Sequence, residues 1–514
     1  MNDEKISKAL ELNTQGIKFA DKGLFGQAIA CFTEAIELLP THWELYNNLA
    51  KTYNEAGDFQ ASINTCLYLI QKFPINSGSN FQNIAKSYGE MARHNEALSY
   101  YYQALDRNPD SKSVYDDLLL TLNYTFASRQ SIFLEHAKFG RFDKPEIKRP
   151  HVRTPHNRKI NIGYISPDFR DHPVGYLMKP ILEYHNRSAF KIFLYNNTKF
   201  AVRDEVTNMF QKQADVWRDI EVLEDADVAE LIRKDEIDIL VDLTGHTGGN
   251  RLGVFVERPA PIQVSWLGYM NTTGLRSIDY HITDWFLAPA GTEAFYTEKL
   301  WRIQDSFTYL PLYEPPSIKP LPALKNGYVT FGFLNNYKKI NDKVLDLWAS
   351  ILKAVPDSKL IFSAKGNEAF HEEIRQRFVI RGIAAERIEM VGLKLLPDFL
   401  AFFDRTDIAL DPFPFTGLIT IYHGLYAGVP SIVLKGASEY ERNGSAVMKK
   451  VNLPEFIADS EQKYLEKAVY WANHLNELAQ IRSTMRKRFN KNEAQEVTRS
   501  VEQAFQNMME KYLE

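Results

Sequence analysis

The sequence predicts an α-solenoid followed by two α/β lobes, each built on a parallel sheet. Three observations carry that reading. Residues 9–111 repeat themselves at the spacing of Pro40, Pro74 and Pro109, the length of a helix pair that must stack on its neighbours to bury an apolar stripe. From Lys159 short apolar runs alternate with stretches of helical period, the pattern of a parallel sheet wrapped in helices. A second alternation starts at Tyr328, after the proline-rich run YEPPSIKPLP at 313–322, which reads as a hinge between lobes.

Within the repeats, Gly16, Phe19, Ala28, Phe32, Ala35 and Pro40 recur in kind as Ala50, Tyr53, Ser62, Cys66, Leu69 and Pro74. They recur again as Ala85, Tyr88, Ala97, Tyr101, Ala104 and Pro109. Small residues fall where two helices cross, and a proline follows the second helix because it cannot continue one. The pattern resembles the tetratricopeptide repeat. Such arrays bind peptides or partner proteins, or pair with a second copy, so a protein partner and a homo-oligomer are both open. The repeats occupy 1–111 in this reading. A helical bridge and the basic linker IKRPHVRTPHNRK fill 112–157, and the lobes take 158–322 and 323–514. The linker charges read as a solvated run.

In the first lobe, residues 160–166 form a strand, followed by the loop Pro167-Asp168-Phe169-Arg170-Asp171-His172-Pro173 and a helix through Tyr184. Further strands are expected at 191–195, 237–243 and 262–267, with a helix at 227–234 and irregular chain after Asp284. In the second lobe, strands are expected at 329–334, 359–363, 387–391, 408–410 and 430–434, the last of them, with helices at 341–354, between the following strands, up to about Ala427 and, after Leu434, to the end. Ligands of open parallel sheets bind beyond the carboxyl ends of the strands. The polar loops at 244–249 and 268–274 therefore read as a cleft wall, with His246, Thr272 and Thr273 facing it, or else as plain turns.

Composition narrows the partners. The 514 residues are 45% hydrophobic and 25% charged with net charge -4, ordinary for a globular protein and without the basic excess of a nucleic-acid binder. Two distant cysteines, Cys31 and Cys66, fit a reducing compartment. The opening MNDEKISKALELN lacks an apolar signal core, and no run approaches the roughly 18 apolar residues of a membrane span. The expectation is a cytoplasmic protein with no membrane partner. No carboxylates or histidines stand at metal-ligand spacing, so no metal is assigned.

The two-lobed plan is that of many nucleotide-sugar transferases, and their chemistry asks for a cation or helix N-terminus at the departing phosphate. Lys339, at a strand end just before a helix, suits that task, although a solvated lysine is the plainer reading. His172 suits proton transfer or polar anchoring, since free imidazole titrates near pH 6.5. A helix-capping or core histidine is the competing reading for it and for His246.

The motifs GYISPDFRDHPVGYLM, DILVDLTGHTGGNRL, RPAPIQVSWLGYMNTTG, IDYHITD, FGFLNNYKKIN and ALDPFPFTG…GLYAGVP resemble, in order, the O-GlcNAc transferase and SPINDLY family, glycosyltransferase family 41. The resemblance covers the chain from the repeats to about Leu453. It implies a Rossmann-like, metal-independent catalytic unit of the GT-B type with no cofactor beyond a nucleotide-sugar co-substrate. The implied activity is inverting O-glycosylation of Ser or Thr on a protein recruited by the repeats. Carried over by position, His172 matches the family's active-site histidine, Lys339 its diphosphate lysine, and Asn336 the residue beside the nucleotide. The helix start after DPFP corresponds to donor-binding positions, here Thr416, Gly417, Thr420 and His423. Only Thr420 keeps a hydroxyl where the family has two threonines, His423 stands at an acidic position, and Phe399 replaces a histidine against the base. UDP-GlcNAc is the default donor, with a GDP-sugar or a CMP-nonulosonate as alternatives. The build also resembles bacterial flagellin glycosyltransferases, which makes flagellin one implied acceptor. A repeat scaffold that has lost activity is the reading from a different class.

Overall fold

Burial of the small repeat residues brings the helices of the solenoid together. Asp3–Asp21 pairs with Phe25–Leu38, Trp43–Ala56 with Phe59–Lys72, and Ser77–Glu90 with His94–Arg107. Ala28, Ala35, Ala50, Ser62, Cys66, Ala85, Ala97 and Ala104 are all buried. A Cβ at Gly16 would lie 2.8 Å from the Phe32 ring, so only glycine admits that ring. Amides tie successive pairs: Asn48 donates to Asn13 at 2.9 Å, Asn83 to Asn47 at 2.9 Å, and Gln82 to Asp117 at 2.7 Å. The helices Lys112–Leu122 and Arg129–Lys138 stack on them as a further pair. The computed structural model describes residues 3–73, 77–144, 158–315, 317–392 and 398–514; Pro74 and the linker at 145–157 lie outside the described residues.

The first lobe is a seven-stranded, all-parallel sheet in the order β3-β2-β1-β4-β5-β6-β7. Its strands are β1 Ile160–Ser166, β2 Phe190–Asn196, β3 Val216–Asp219, β4 Ile239–Asp242, β5 Ile262–Ser265, β6 Tyr280–Asp284 and β7 Lys299–Ile303. The second lobe has six strands: β8 Thr330–Phe333, β9 Lys359–Ser363, β10 Ile388–Val391, β11 Ile408–Leu410, β12 Ser431–Leu434 and β13 Ile457–Ala458. They are parallel and ordered β10-β9-β8-β11-β12-β13. The expected strands are present, with ends shifted by a residue or two. Four strands escaped the sequence reading: β3, β6, β7 and β13. The chain after Asp284 is not merely irregular, since β7 pairs with β6 along its whole length.

Each sheet reverses its winding once, between β1 and β4 in the first lobe and between β8 and β11 in the second. Ligands collect at such switch points because the loops diverge there and leave a crevice. The loop carrying His172 leaves β1, and those carrying Lys339 and Thr416 leave β8 and β11. Between the lobes runs the stretch ending at Leu321, held by the buried Arg482, whose guanidinium donates to the carbonyls of Lys319 and Thr406 at 2.8 Å each. The last helix, Glu493–Leu513, packs across the first lobe against Pro173–Tyr184. There Glu502 accepts from His185 at 2.8 Å and from the Asn186 amide at 2.6 Å. Among the described residues no helix is long and apolar enough to cross a membrane.

Candidate active site

At the end of β8 the chain makes one short turn, Tyr337–Lys339, before the helix Asp342–Ala354. Asn336 caps that turn by accepting from the Lys338 amide at 3.0 Å and is itself exposed. Asn341 caps the helix, accepting from Val344 N at 3.1 Å, and its amide donates to Phe413 O at 2.6 Å, so the β8 and β11 loops are clamped together. Lys339 is thereby turned toward the β11 loop. Its ammonium donates to Thr416 O at 3.0 Å and lies 4.9 Å from the centroid of Phe415. Burial lowers its pKa to about 8, against the pull of Asp411. A cation kept partly desolvated beside a carbonyl and a π-face attracts an anion more strongly than one in water.

The groups around it converge on one point. Gly417 N donates to both carboxylate oxygens of Asp411, at 2.9 and 3.1 Å, while burial raises the Asp411 pKa to about 7. A Cβ at Gly417 would come within 2.7 Å of Asp411 Oδ1 and 2.8 Å of the Thr420 hydroxyl, which is why a glycine stands there. The helix Ile419–Tyr426 follows, and Leu418 before it supplies no side-chain cap. Its first backbone N–H groups, with the half-buried Thr420 hydroxyl, are left for an anion. Thr416 does not contribute a hydroxyl outward, because it donates to Tyr440 O at 2.9 Å and is buried.

From the other lobe, His172 caps the helix Pro173–Tyr184, with its Nδ1 accepting from Val174 N at 3.4 Å and lying 3.4 Å from Asp168 Oδ2. The capping reading and the site reading therefore coexist. Burial, then the neighbouring Arg170, push the His172 pKa down to about 3, so the imidazole is neutral at physiological pH. One turn into this helix, Tyr176 meets His423, one turn into the helix Ile419–Tyr426, with ring centroids 4.9 Å apart. At 1.5 Å rise per residue, both helix starts then lie within about 6 Å, measured along each axis, of this contact. The Tyr176–His423 contact thus joins the helix that His172 caps to the helix that Thr420 opens.

Other expectations fare differently. His423 is buried edge-on to Tyr176 and Tyr309, where it lines a small pocket with Tyr313 and Leu400, and burial lowers its pKa to about 4. His246 is not a cleft wall. Its Nδ1 pairs with Asp116 at 2.7 Å and its Nε2 with Thr273 O at 2.8 Å, both buried between the helix Lys112–Leu122 and the first lobe. The preceding Gly245 serves packing, since a Cβ there would fall inside the Tyr269 side chain. Thr272 and Thr273 are buried as well, and both donate their hydroxyls to Glu298. The side chain of Phe399 lies outside the described set. A cavity of about 730 Å³ lies between His94, Phe126, Lys343 and Arg377 and is lined also by Asn341, two residues after Lys339.

The sequence model described as glycosyl transferase family 41 matches residues 114–309 and 321–503. The chain belongs to glycosyl transferase family 41. Two tetratricopeptide-repeat models match ahead of it, at 31–64 and 79–111. Among curated relatives, the SPINDLY protein of Petunia hybrida is 36% identical over 423 residues, covering 79% of this chain and 45% of its own. That of Arabidopsis thaliana is 37% identical over 396 residues, with 74% and 43% covered. The chain thus spans less than half the length of these plant relatives. Among solved structures, a lysine-to-methionine mutant of Thermobaculum terrenum O-GlcNAc transferase superposes with a TM-score of 0.91 at 29% identity, over 100% of this chain and 99% of that one. The two parallel-sheet lobes are accordingly a GT-B fold. Within this family 41 chain, sequence reasoning assigned no role to Asp411, although it opens the quoted DPFP motif at a strand end.

Proposed function

We propose that this chain is an inverting protein O-glycosyltransferase that moves a sugar from a nucleotide donor to a Ser or Thr hydroxyl of a protein held by the repeats. The observation that carries it is the Lys339 ammonium, held at the switch point beside the uncapped start of Ile419–Tyr426. In the reaction the acceptor oxygen bonds to the anomeric carbon as the bond from that carbon to the phosphate oxygen breaks. The electron pair leaves on the phosphate, where Lys339 and the helix N–H groups oppose the growing charge. The acceptor proton passes to a base or to solvent. With its pKa near 3 in the free protein, His172 is a hydrogen-bond partner for the donor before it is a proton acceptor.

The plant relatives are named "probable UDP-N-acetylglucosamine–peptide N-acetylglucosaminyltransferase", which supports UDP-GlcNAc as the default donor. Thr420 alone where the family has two threonines, and His423 where it has an acid, support testing GDP-sugars and CMP-nonulosonates beside it; flagellin as an acceptor rests on the family resemblance. Calorimetric titration with UDP, GDP and CMP separates these readings, because the three differ in base and phosphate number. Preferential binding of one names the donor class. No binding up to millimolar concentration would move the inactive-scaffold reading ahead, which the presence of one hydroxyl, at Thr420, in place of two already favours.

A further inference from the structure

A buried carboxylate joins the two lobes. Glu439, in the loop after β12, is 2% exposed and accepts from three side chains of the first lobe. Thr283 on β6 donates at 3.0 Å, the Tyr296 hydroxyl at 2.8 Å, and His281 Nε2, also on β6, lies 3.0 Å away. His281 Nδ1 has no hydrogen-bond partner among the described residues, so the polar anchoring of that ring rests on Glu439. Burial opposes a charge on His281, but Glu439, with Glu298 and Asp242 behind it, raises its pKa above the ordinary value. Such pairs are weak sources of stability, because desolvation offsets the attraction; fixing one geometry is what they do well.

The geometry they fix leads to the cation. Tyr440, the next residue, accepts through its carbonyl from Thr416 N at 3.1 Å and from the Thr416 hydroxyl at 2.9 Å. Its ring stacks on Phe415, with centroids 5.6 Å apart. Phe415 and Thr416 are the π-face and the carbonyl that hold the Lys339 ammonium. We infer that Glu439 is a positioning residue for Lys339, anchoring to the first lobe the segment that aims the ammonium of the second. The lobe that supplies His172 would then set where the cation stands. This rests on the reading of Lys339 as the donor-phosphate cation.

Tyr296→Phe is the cleaner test, because it removes one donor to Glu439 and changes no charge; Glu439→Gln is the stronger one. In each full-length variant Lys339 is acylated by a lysine-selective reagent across pH 6 to 10, with labelling read by peptide mass spectrometry, and transfer is assayed in parallel. Loosening the segment hydrates the ammonium, so the midpoint of Lys339 labelling should rise by about one pH unit toward that of a free lysine. The kcat for transfer should fall about tenfold with the melting temperature near that of the parent. Labelling identical to the parent in both variants would overturn the inference. If Glu439→Gln fails to fold, Tyr296→Phe decides alone. A Lys339→Met variant that transfers at the native rate would sink the reading of Lys339 as the cation, whereas the labelling still decides whether Glu439 positions it.

Discussion

At Lys339 two opposing effects set the chemistry. Burial lowers the ammonium's pKa to about 8 and Asp411 pulls it back, while the same burial raises Asp411 to about 7. On the proposed role a donor diphosphate would bind the protonated form, so affinity should be full below the free-protein pKa and lost as pH rises through about 8. The dissociation constant for UDP, measured by calorimetry, should weaken by about tenfold per unit above that point, and the slope should vanish in Lys339→Met. The same variant should lose about 10² to 10³ in kcat/KM while its circular dichroism stays unchanged, as removal of a preorganised charge-stabilising group does elsewhere. Asp411 shows why one half of the site was legible and the other was not. A lysine after a strand and before a helix has a signature in sequence. An aspartate before a proline reads as a turn, and only the fold reveals that its carboxylate closes on Gly417 N.

Elements were legible where they are buried on both faces. β1, β4, β8 and β12 are apolar runs and stood out, whereas β3 and β7 lie at sheet edges with mixed polar patterns, and β13 is only two residues long. The loop after β4 misled because glycines and a histidine at a strand end look alike whether they meet a ligand or a neighbouring helix. Here they meet a helix: Asp116 of Lys112–Leu122 takes both His246 and Asn250, at 2.7 and 2.9 Å. The partners stand 130 and 134 residues apart, beyond any local pattern. His246→Ala should therefore act on stability, removing the ring that links the partly exposed Asp116 carboxylate to the Thr273 carbonyl, at a cost of about 1 to 3 kcal/mol. Urea denaturation should register that loss while UDP affinity stays within about twofold of the parent. A weakened UDP affinity with unchanged stability would return His246 to the cleft.

Across the whole molecule, the solenoid lies along both lobes. Its second pair touches the second lobe where Asn367 N donates to Gly57 O at 3.3 Å and Phe59 meets Phe370 edge-on at 5.2 Å. The third pair reaches the Lys339 loop itself: His94 bonds Lys338 O at 2.7 Å, and Glu90 pairs with the Lys338 ammonium at 2.7 Å. Deleting residues 1–111 would thus remove the proposed acceptor-binding surface and strip the Lys339 loop of its supports together. A shorter cut separates the two roles. Removing residues 1–41 takes away only the first helix pair, which no described hydrogen bond or ion pair ties to either lobe. It uncovers Leu45 and Leu49, so these are changed to Lys and Gln to restore a polar end to the stack. In that protein, hydrolysis of the nucleotide sugar should stay within about twofold of the parent while KM for a protein acceptor rises about tenfold. Deletion of 1–111 should lower hydrolysis and raise that KM together. Equal loss of hydrolysis from the two truncations would mean that the first pair supports the lobes after all, and equal retention of acceptor KM would take the acceptor off the repeats.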